Sequence, residues 1–408
     1  MKITRAGAVL VAAVAAVTLA ACGSGFNSGG GKQESKKPLT VLIGSSGAAE
    51  TTAVKQAVAD WSKKSGIKAT VQAASDLNQQ LAQGFSSGKP ADVFYLSTDA
   101  LAGYASNGSI YAYGDKLANK DDFYPSLVKS FTYDGKLQCA PKDFSTLQLI
   151  INTDAWSKAG LTEADYPTTW DQLTAVAKKL TTGTQTGLVI GGEYARVGAF
   201  MTEAGGNLMN ADSTKATADS AANLKALQYV QDNLKAGDFK YAADVGAGWG
   251  GEAFGKQLGA MTIEGNWITG SQQNDYPDVK YKVVPLPKGP AGAGTLQFTN
   301  CWGIAADSKN KSGAVDLVKA LTSKSDQLAF SKAFGVMPSI QSAAGEWKKE
   351  FPNLAPFLEA ASYAKGVPAA KGSADVVSDF NAQVAKLTTA DPKTILSSTQ
   401  KNLEALLK

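Results

Sequence analysis

Seven tryptophans, 36 carboxylates and no histidine make up the chemical inventory of this 408-residue chain. The missing imidazole closes several routes at once. Gly84-Phe85-Ser86-Ser87-Gly88 has the Gly-x-Ser-x-Gly spacing of a nucleophile elbow, but a serine nucleophile needs a base to take its proton, normally His. Ser86 also follows a helical pattern (Leu77 to Phe85) where an elbow requires a strand, so the match is chance. Gly250-Gly251-Glu252-Ala253-Phe254-Gly255-Lys256 satisfies most of a phosphate-binding loop. Gln257 stands where Ser or Thr is required, and no strand precedes the loop, so nucleotide binding is rejected. Two thiols left without histidine do not complete a four-coordinate zinc site, and neither metal nor cofactor is expected. Aromatic faces and carboxylates remain, which is the chemistry of non-covalent recognition.

The address of the chain comes from its start. Lys2 and Arg5 form a positive n-region, and Ala6 to Ala21 is uncharged and shorter than the roughly 20 apolar residues that span a bilayer. Leu19-Ala20-Ala21-Cys22 resembles the lipobox of bacterial lipoproteins, in which the cysteine is diacylated and becomes the mature N-terminus. The alternative is a plain secretory signal with an incidental Cys. Residues 1–21 are thus expected to be a signal peptide and residues 22–38 a flexible tether, Gly/Ser-rich and then basic, with only Phe26 as a large apolar residue. Removing Lys2 and Arg5 takes the formal charge from +4 to +2, too balanced for a nucleic-acid binder. With Cys22 assigned to lipid, Cys139 and Cys301 are left. In an oxidising compartment this pair is either a disulfide or two buried thiols.

The elements that must position any site alternate along the body. Leu39 to Ile43 is a strand-length apolar run, and Ala48 to Ser65 carries Val54, Ala57, Val58 and Trp61 at helical spacing. Lys68 to Ala73 and Asp92 to Leu96 read as further strands, with a helix from Asp76 to Ser87 between them. This alternation predicts an α/β fold with parallel strands covered on both faces. The length predicts two lobes. Ligands of such sheets bind at the carboxyl ends of strands, here Gly44 to Gly47, with Ser45, and Ser97 to Asp99.

A series of stretches then carries a resemblance. In order they are Pro90-Ala91-Asp92-Val93-Phe94-Tyr95, Ala140-Pro141-Lys142-Asp143-Phe144-Ser145-Thr146, Ile151-Asn152-Thr153-Asp154 and Tyr166-Pro167-Thr168-Thr169-Trp170-Asp171-Gln172-Leu173. Later come Glu203-Ala204-Gly205-Gly206, Gly259-Ala260-Met261-Thr262-Ile263-Glu264-Gly265-Asn266-Trp267, Trp302-Gly303-Ile304-Ala305 and Gly335-Val336-Met337-Pro338. Together they resemble the extracellular solute-binding proteins of carbohydrate ABC importers, the group that includes the maltodextrin-binding protein. The resemblance implies the two-lobed, class II periplasmic-binding-protein fold, each lobe a sheet flanked by helices. Crossovers are expected near Pro141 to Ser145, Phe298 to Cys301 and Ala364 to Pro368. Residues 39–142 and 301–364 would form lobe one, and residues 143–300 and 365–408 lobe two. It also places Cys139 and Cys301 beside adjacent hinge strands, where a bridge would stiffen the hinge without blocking closure. A monomer held to the membrane through Cys22 is implied, delivering solute to permease subunits whose ATPase is a separate chain.

A pyranose has an apolar C–H face and a rim of hydroxyls, so its site needs aromatic platforms and fixed polar groups. Trp61, Trp156 and Trp170 are assigned to packing. Trp249, flanked by Gly246, Gly248, Gly250 and Gly251, Trp267 after the Gly-Ala-Met strand, and Trp302 at the hinge are the candidate platforms. Asp99, Asp143, Ser145, Glu193, Tyr194, Glu264, Asn266 and Asn300 are the candidate polar contacts. No Trp follows Pro368, and Leu96 stands at an aromatic position of the maltodextrin binder, so the subsites must differ from that protein's. Two rivals remain. One is a glycoside hydrolase pairing Asp143 with Glu264 or Glu193; the other is the same clamp holding a peptide or polyamine.

Overall fold

The computed structural model describes residues 36–408, so the expected signal, Cys22 and most of the tether lie outside the described residues. No helix among the described residues is long and apolar enough to cross a membrane. The body opens with β1 (Leu39–Ile43), whose Leu39, Val41 and Ile43 are buried. The helix Ala48–Ser65 follows, laying Val54, Val58 and Trp61 into the core and ending at Gly66, whose left-handed φ of 70° suits a residue without Cβ. Then come β2 (Ala69–Ala73), a helix Leu77–Ser86 capped by the Asp76 carboxylate, and β3 (Val93–Ser97), each within a residue or two of its expected place. Just before β1, the Lys37 carbonyl accepts a hydrogen bond from Asn310 Nδ2 at 2.8 Å, at the start of the helix Lys311–Leu321.

The remaining strands are the short hairpin β4 (Thr132–Tyr133) and β5 (Lys136–Leu137), then β6 (Ala140–Asn152), β7 (Thr186–Ile190), β8 (Phe239–Tyr241), β9 (Gly259–Gly265), β10 (Tyr281–Val284), β11 (Gln297–Ile304) and β12 (Met337–Pro338). Ten of the twelve form one hydrogen-bonded sheet in the order β2-β1-β3-β11-β6-β9-β7-β8, with β10 and β12 pairing β6. The outer pairs β1–β2, β1–β3, β7–β8 and β7–β9 are parallel; β6 and β11 pair antiparallel with every neighbour. The expectation was a separate sheet in each lobe. In the structure the first two crossovers are themselves strands, so the two sheets join through β6 and β11. All 13 residues of β6 are buried, which an exposed connection would not permit. Near the third crossover, Gln297 N donates to the Lys365 carbonyl at 2.8 Å and Lys365 N donates to the Thr295 carbonyl at 2.9 Å.

Two large hydrophobic cores lie on either side of this junction. One gathers β1, β3 and the second half of β11 with Trp61, Phe131 and Leu317. The other gathers β7, β8 and β9 with Trp170, Phe200 and Leu227, closed by Phe380 and Leu403 of the last two helices (Ser373–Val384 and Pro392–Leu406). A third cluster, including Phe144, Phe254, Trp347 and Phe357, packs along β6. Cys139 and Cys301 face each other, their Cα atoms 5.7 Å apart, within the range a disulfide requires.

Gly187 in β7 illustrates how closely the second core is packed. A Cβ there would lie 2.0 Å from the Ala177 carbonyl oxygen of the helix Trp170–Leu180, and backbone cannot move aside as a side chain can. Gly187→Ala should therefore cost on the order of 1–3 kcal/mol, read as a lower urea midpoint; an unchanged midpoint would contradict this packing.

Candidate functional site

Because β6 and β11 pair residue by residue, they sort their side chains onto two faces. Asp143 lies opposite Asn300 and Ser145 opposite Phe298, so these four share one face; Phe144, Thr146, Gln297 and Thr299 take the other. The register shifts between Asn300 and Cys301, leaving Lys142 as an extra residue on β6. Such a bulge re-aims side chains, and here Lys142 and its neighbour Asp143 meet instead of alternating.

On the lobe-one side of this face, Lys142 Nζ donates to Glu50 Oε1 at 3.0 Å and pairs with the Asp143 carboxylate. Tyr95 donates its hydroxyl to Glu50 at 3.0 Å, and Ser46 donates its backbone N–H and hydroxyl at 2.8 and 2.7 Å. The ammonium sits 4.5 Å over the Tyr95 ring and 5.5 Å from that of Phe334. Burial works against the charge on Lys142, but Asp143 and Glu50 outweigh it and hold its pKa above the usual lysine value. Burial, together with the charge of Glu50, pushes the Asp143 carboxyl up despite Lys142. Burial also opposes ionisation of Glu50, but Lys142 and the two Ser46 donors bring its pKa below the usual value.

Lobe two answers with a second network. Trp267 Nε1 donates to Glu264 Oε2 at 2.9 Å, and Arg196 Nη2 donates to the same oxygen at 2.5 Å. The Arg196 guanidinium lies 5.3 Å over the Trp267 ring and 3.5 Å from Glu193. Phe298 meets Trp267 edge to face, with centroids 5.5 Å apart. Asn266 N donates to Ser145 Oγ at 2.9 Å, and Asn266 Nδ2 to the Gly335 carbonyl at 2.6 Å. Burial raises the pKa of Glu264 in spite of Arg196 and Trp267, and burial plus the Glu264 charge raises that of Glu193 in spite of Arg196.

The structure thus joins Ser145, Glu193, Glu264, Asn266 and Trp267 in one network and ties Asp143 into another. Asn300 stands between, paired with Asp143 and Ser97. Ser45 and Asp99 lie just past β1 and β3. The Ser45 hydroxyl is spent on the turn, donating to the Gly47 carbonyl at 2.6 Å and accepting from Thr51 at 2.7 Å. Asp99 is half-buried in the first turn of the helix Thr98–Ser106. Trp249 is half-buried at the start of the helix Gly250–Gly255, one residue from the glycine that approaches Glu264.

Two expectations are corrected. Tyr194 is 2% exposed; its hydroxyl donates to Asn207 at 2.5 Å and its ring meets Phe380, so it faces the core of lobe two. Trp302 is wholly buried against Tyr95, so its ring offers no platform. Trp61, Trp156, Trp170 and Trp347 are also buried, each donating its indole N–H within the protein. Trp267, 37% exposed, is the most exposed tryptophan among the described residues, ahead of the half-buried Trp249. Glu50, Lys142, Arg196 and Phe298 join the networks of this face without being among the contacts expected from sequence. Arg196, three residues after Glu193 on a helix start, was legible as an ion-pair partner; Glu50 was hidden by the 92 residues separating it from Lys142.

On the opposite face, a groove of about 1140 Å³ runs between Gln297, Ser130 and Lys365, bridged by an ion pair of Lys129 and Asp212 at 2.8 Å. Its one lining aromatic is the half-buried Tyr133, and no tryptophan lines it, so we place the site on the Trp267 face.

Two α/β cores joined by shared strands, with a polar network of each lobe beside the junction, define a solute-binding clamp. The chain belongs to the bacterial extracellular solute-binding proteins, whose family pattern matches residues 56–356. It is accordingly an extracytoplasmic binding protein and not an enzyme. It is 26% identical over 351 residues to a Brucella abortus protein described as a binding protein, covering 81% of this chain and 83% of that one. Over 289 residues it is 27% identical to the diacetylchitobiose binding protein DasA of Streptomyces coelicolor, covering 68% and 67%. Its fold is similar to the GacH receptor of Streptomyces glaucescens, with a TM-score of 0.78, 21% identity and coverage of 91% and 98%. The maltotriose binding protein of Thermus thermophilus gives a TM-score of 0.75, 23% identity and coverage of 91% and 100%.

Arg196→Met tests the lobe-two network. Glu264 would be left buried without a cation, a loss on the order of 3–5 kcal/mol at neutral pH. A carboxyl whose folded pKa is raised binds its proton more readily in the folded state, so the loss should shrink as pH falls. Equal losses at neutral and acid pH in urea unfolding would contradict this account.

Proposed function

We propose that this protein is the receptor of an ABC sugar importer, closing its two lobes on a di- or oligosaccharide and presenting it to membrane permease subunits. The observation that carries the reading is Trp267: an exposed indole with its N–H fixed by Glu264 and its ring flanked by Arg196 and Phe298. A rigid aromatic face beside bonded carboxylates suits a ring that is apolar on its face and hydroxylated at its rim. The relatives named for diacetylchitobiose and maltotriose support the same solute class. Asn300, Asp99, Asp143 and Glu193 are the polar contacts in this reading, and Trp249 extends the platform; Asn266, 2% exposed with its amide bonded to Gly335, holds the Trp267 turn. A micromolar affinity corresponds to about −8 kcal/mol, within reach of one stacked ring and several charge-assisted hydrogen bonds.

Residues 39–142 with 301–364, and 143–300 with 365–408, serve as the two lobes, each built around one of the two large cores. Lipid on Cys22 and the tether to residue 38 hold a monomeric clamp beside its permease, whose ATPase is another chain. Cys139 and Cys301, at adjoining hinge strands, are bonded; under non-reducing conditions the purified protein should weigh two hydrogens less than its fully reduced form, and an equal mass would remove the bridge.

A thermal-shift series over mono-, di- and oligosaccharides tests the main reading. A true ligand at 100 times its Kd should stabilise by about 2.7 kcal/mol. Trp267→Ala should abolish that shift while keeping the unliganded melting temperature. If no saccharide moves the transition, the sugar reading is wrong.

A further inference from the structure

Gly265, the last residue of β9, and Gly251, in the helix Gly250–Gly255, are both buried, and neither has a positive φ, so their backbone does not call for glycine. Their neighbours do. A Cβ at Gly265 would stand 2.3, 2.4 and 2.5 Å from Cζ3, Cη2 and Cε3 of Trp267. One at Gly251 would stand 2.1, 2.2 and 2.7 Å from Cη2, Cζ3 and Cζ2 of Trp249. In each case the three nearest atoms belong to the six-membered ring of a tryptophan assigned to the site. Gly187 is the contrast, since an added Cβ there meets the backbone of a packed helix.

The two indoles also share a neighbour. Trp267 Nε1 donates to Glu264 Oε2 at 2.9 Å, and Gly250, between Trp249 and Gly251, lies so near that a Cβ on it would stand 2.7 Å from Glu264 Oε1. Non-bonded carbons settle about 3.5–4.0 Å apart, so a Cβ at Gly265 or Gly251 would drive the ring off by about 1 Å or more. The outer edge of an indole can swing away where backbone cannot. The fold therefore survives the change and the placement of the ring does not. A gap of that size forfeits roughly a quarter to a half of a dispersion contact, and stacking on a sugar consists largely of such contacts.

Resting on the sugar-receptor reading, we propose that Gly265 and Gly251 are positioning residues of the receptor. Each is the bare-backbone seat on which one indole lies, Trp267 on the first and Trp249 on the second, and each sets the height of its ring for stacking on the sugar.

The first test needs no sugar. In near-UV circular dichroism, the difference between the unaltered protein and Trp267→Phe isolates the band of the fixed Trp267. Gly265→Ala should lose that band and keep those of the buried tryptophans. The second test is calorimetric titration with the saccharide that gives the largest shift in the thermal series, maltotriose and diacetylchitobiose included. Gly265→Ala should bind it about tenfold more weakly. In a Trp267→Phe background, whose shorter ring lacks Cζ3 and Cη2, the further loss should be under about twofold. Gly251→Ala should behave in the same way toward Trp249. Because Ala suits a helix better than Gly, its unliganded melting temperature should not fall. Should Gly265→Ala not fold, the Gly251 series decides. An unchanged near-UV band with unchanged affinity, or a loss as large without the indole as with it, would overturn the seating role and leave the receptor reading standing. Binding of no saccharide by the unaltered protein would overturn both.

Discussion

The antiparallel pairing of β6 with β11 is the interaction on which the rest of this molecule depends. Its strands run through both lobes, and its register decides which side chains look into the space between them. Asp143 opposite Asn300 and Ser145 opposite Phe298 place four residues from two distant stretches on one face. A slip of β11 by one residue would send Phe298 and Asn300 to the other side of the sheet, because side chains alternate with a period of two. The bulge beside Asn300 then brings Lys142 onto the face its neighbours occupy.

Such a face gathers charge where water is scarce, and the two lobes handle that problem differently. In lobe one the cation is at the centre, and Lys142 is surrounded by two carboxylates and two rings, so its charge is well supported. In lobe two the fully buried member is the acid Glu264, held by a guanidinium and an indole N–H. Arg196 suits that task because its planar head can pair with carboxylates and lie over an aromatic ring at once. Trp267 is consequently fixed at both its edge and its face before any ligand arrives, which lowers the entropy cost of stacking.

How much of this could be read beforehand follows the range of the interactions. Strands and helices of the first hundred residues were legible because local apolar period and caps decide them, as with Leu39–Ile43 and the Asp76 cap. Trp267 was legible because the strand before it and the turn after it form one continuous motif. Tyr194 and Trp302 were misplaced for a common reason: their neighbours in sequence do line the face, and strand or helix geometry turned these two inward. Glu50 could not be seen, since its partners other than the nearby Ser46 come from residues 95 and 142. A site assembled across a hinge is legible in its motifs and hidden in its pairings.

The hydrogen bond between the Lys37 carbonyl and Asn310 has a mechanical meaning. It secures the incoming chain to the half of the molecule built on β1, β3 and the second part of β11, a few residues ahead of β1. The described chain thus enters the body on that half. If the receptor proposed above closes by rotating its halves about β6 and β11, the half bearing Trp267 swings relative to the half at which the chain enters.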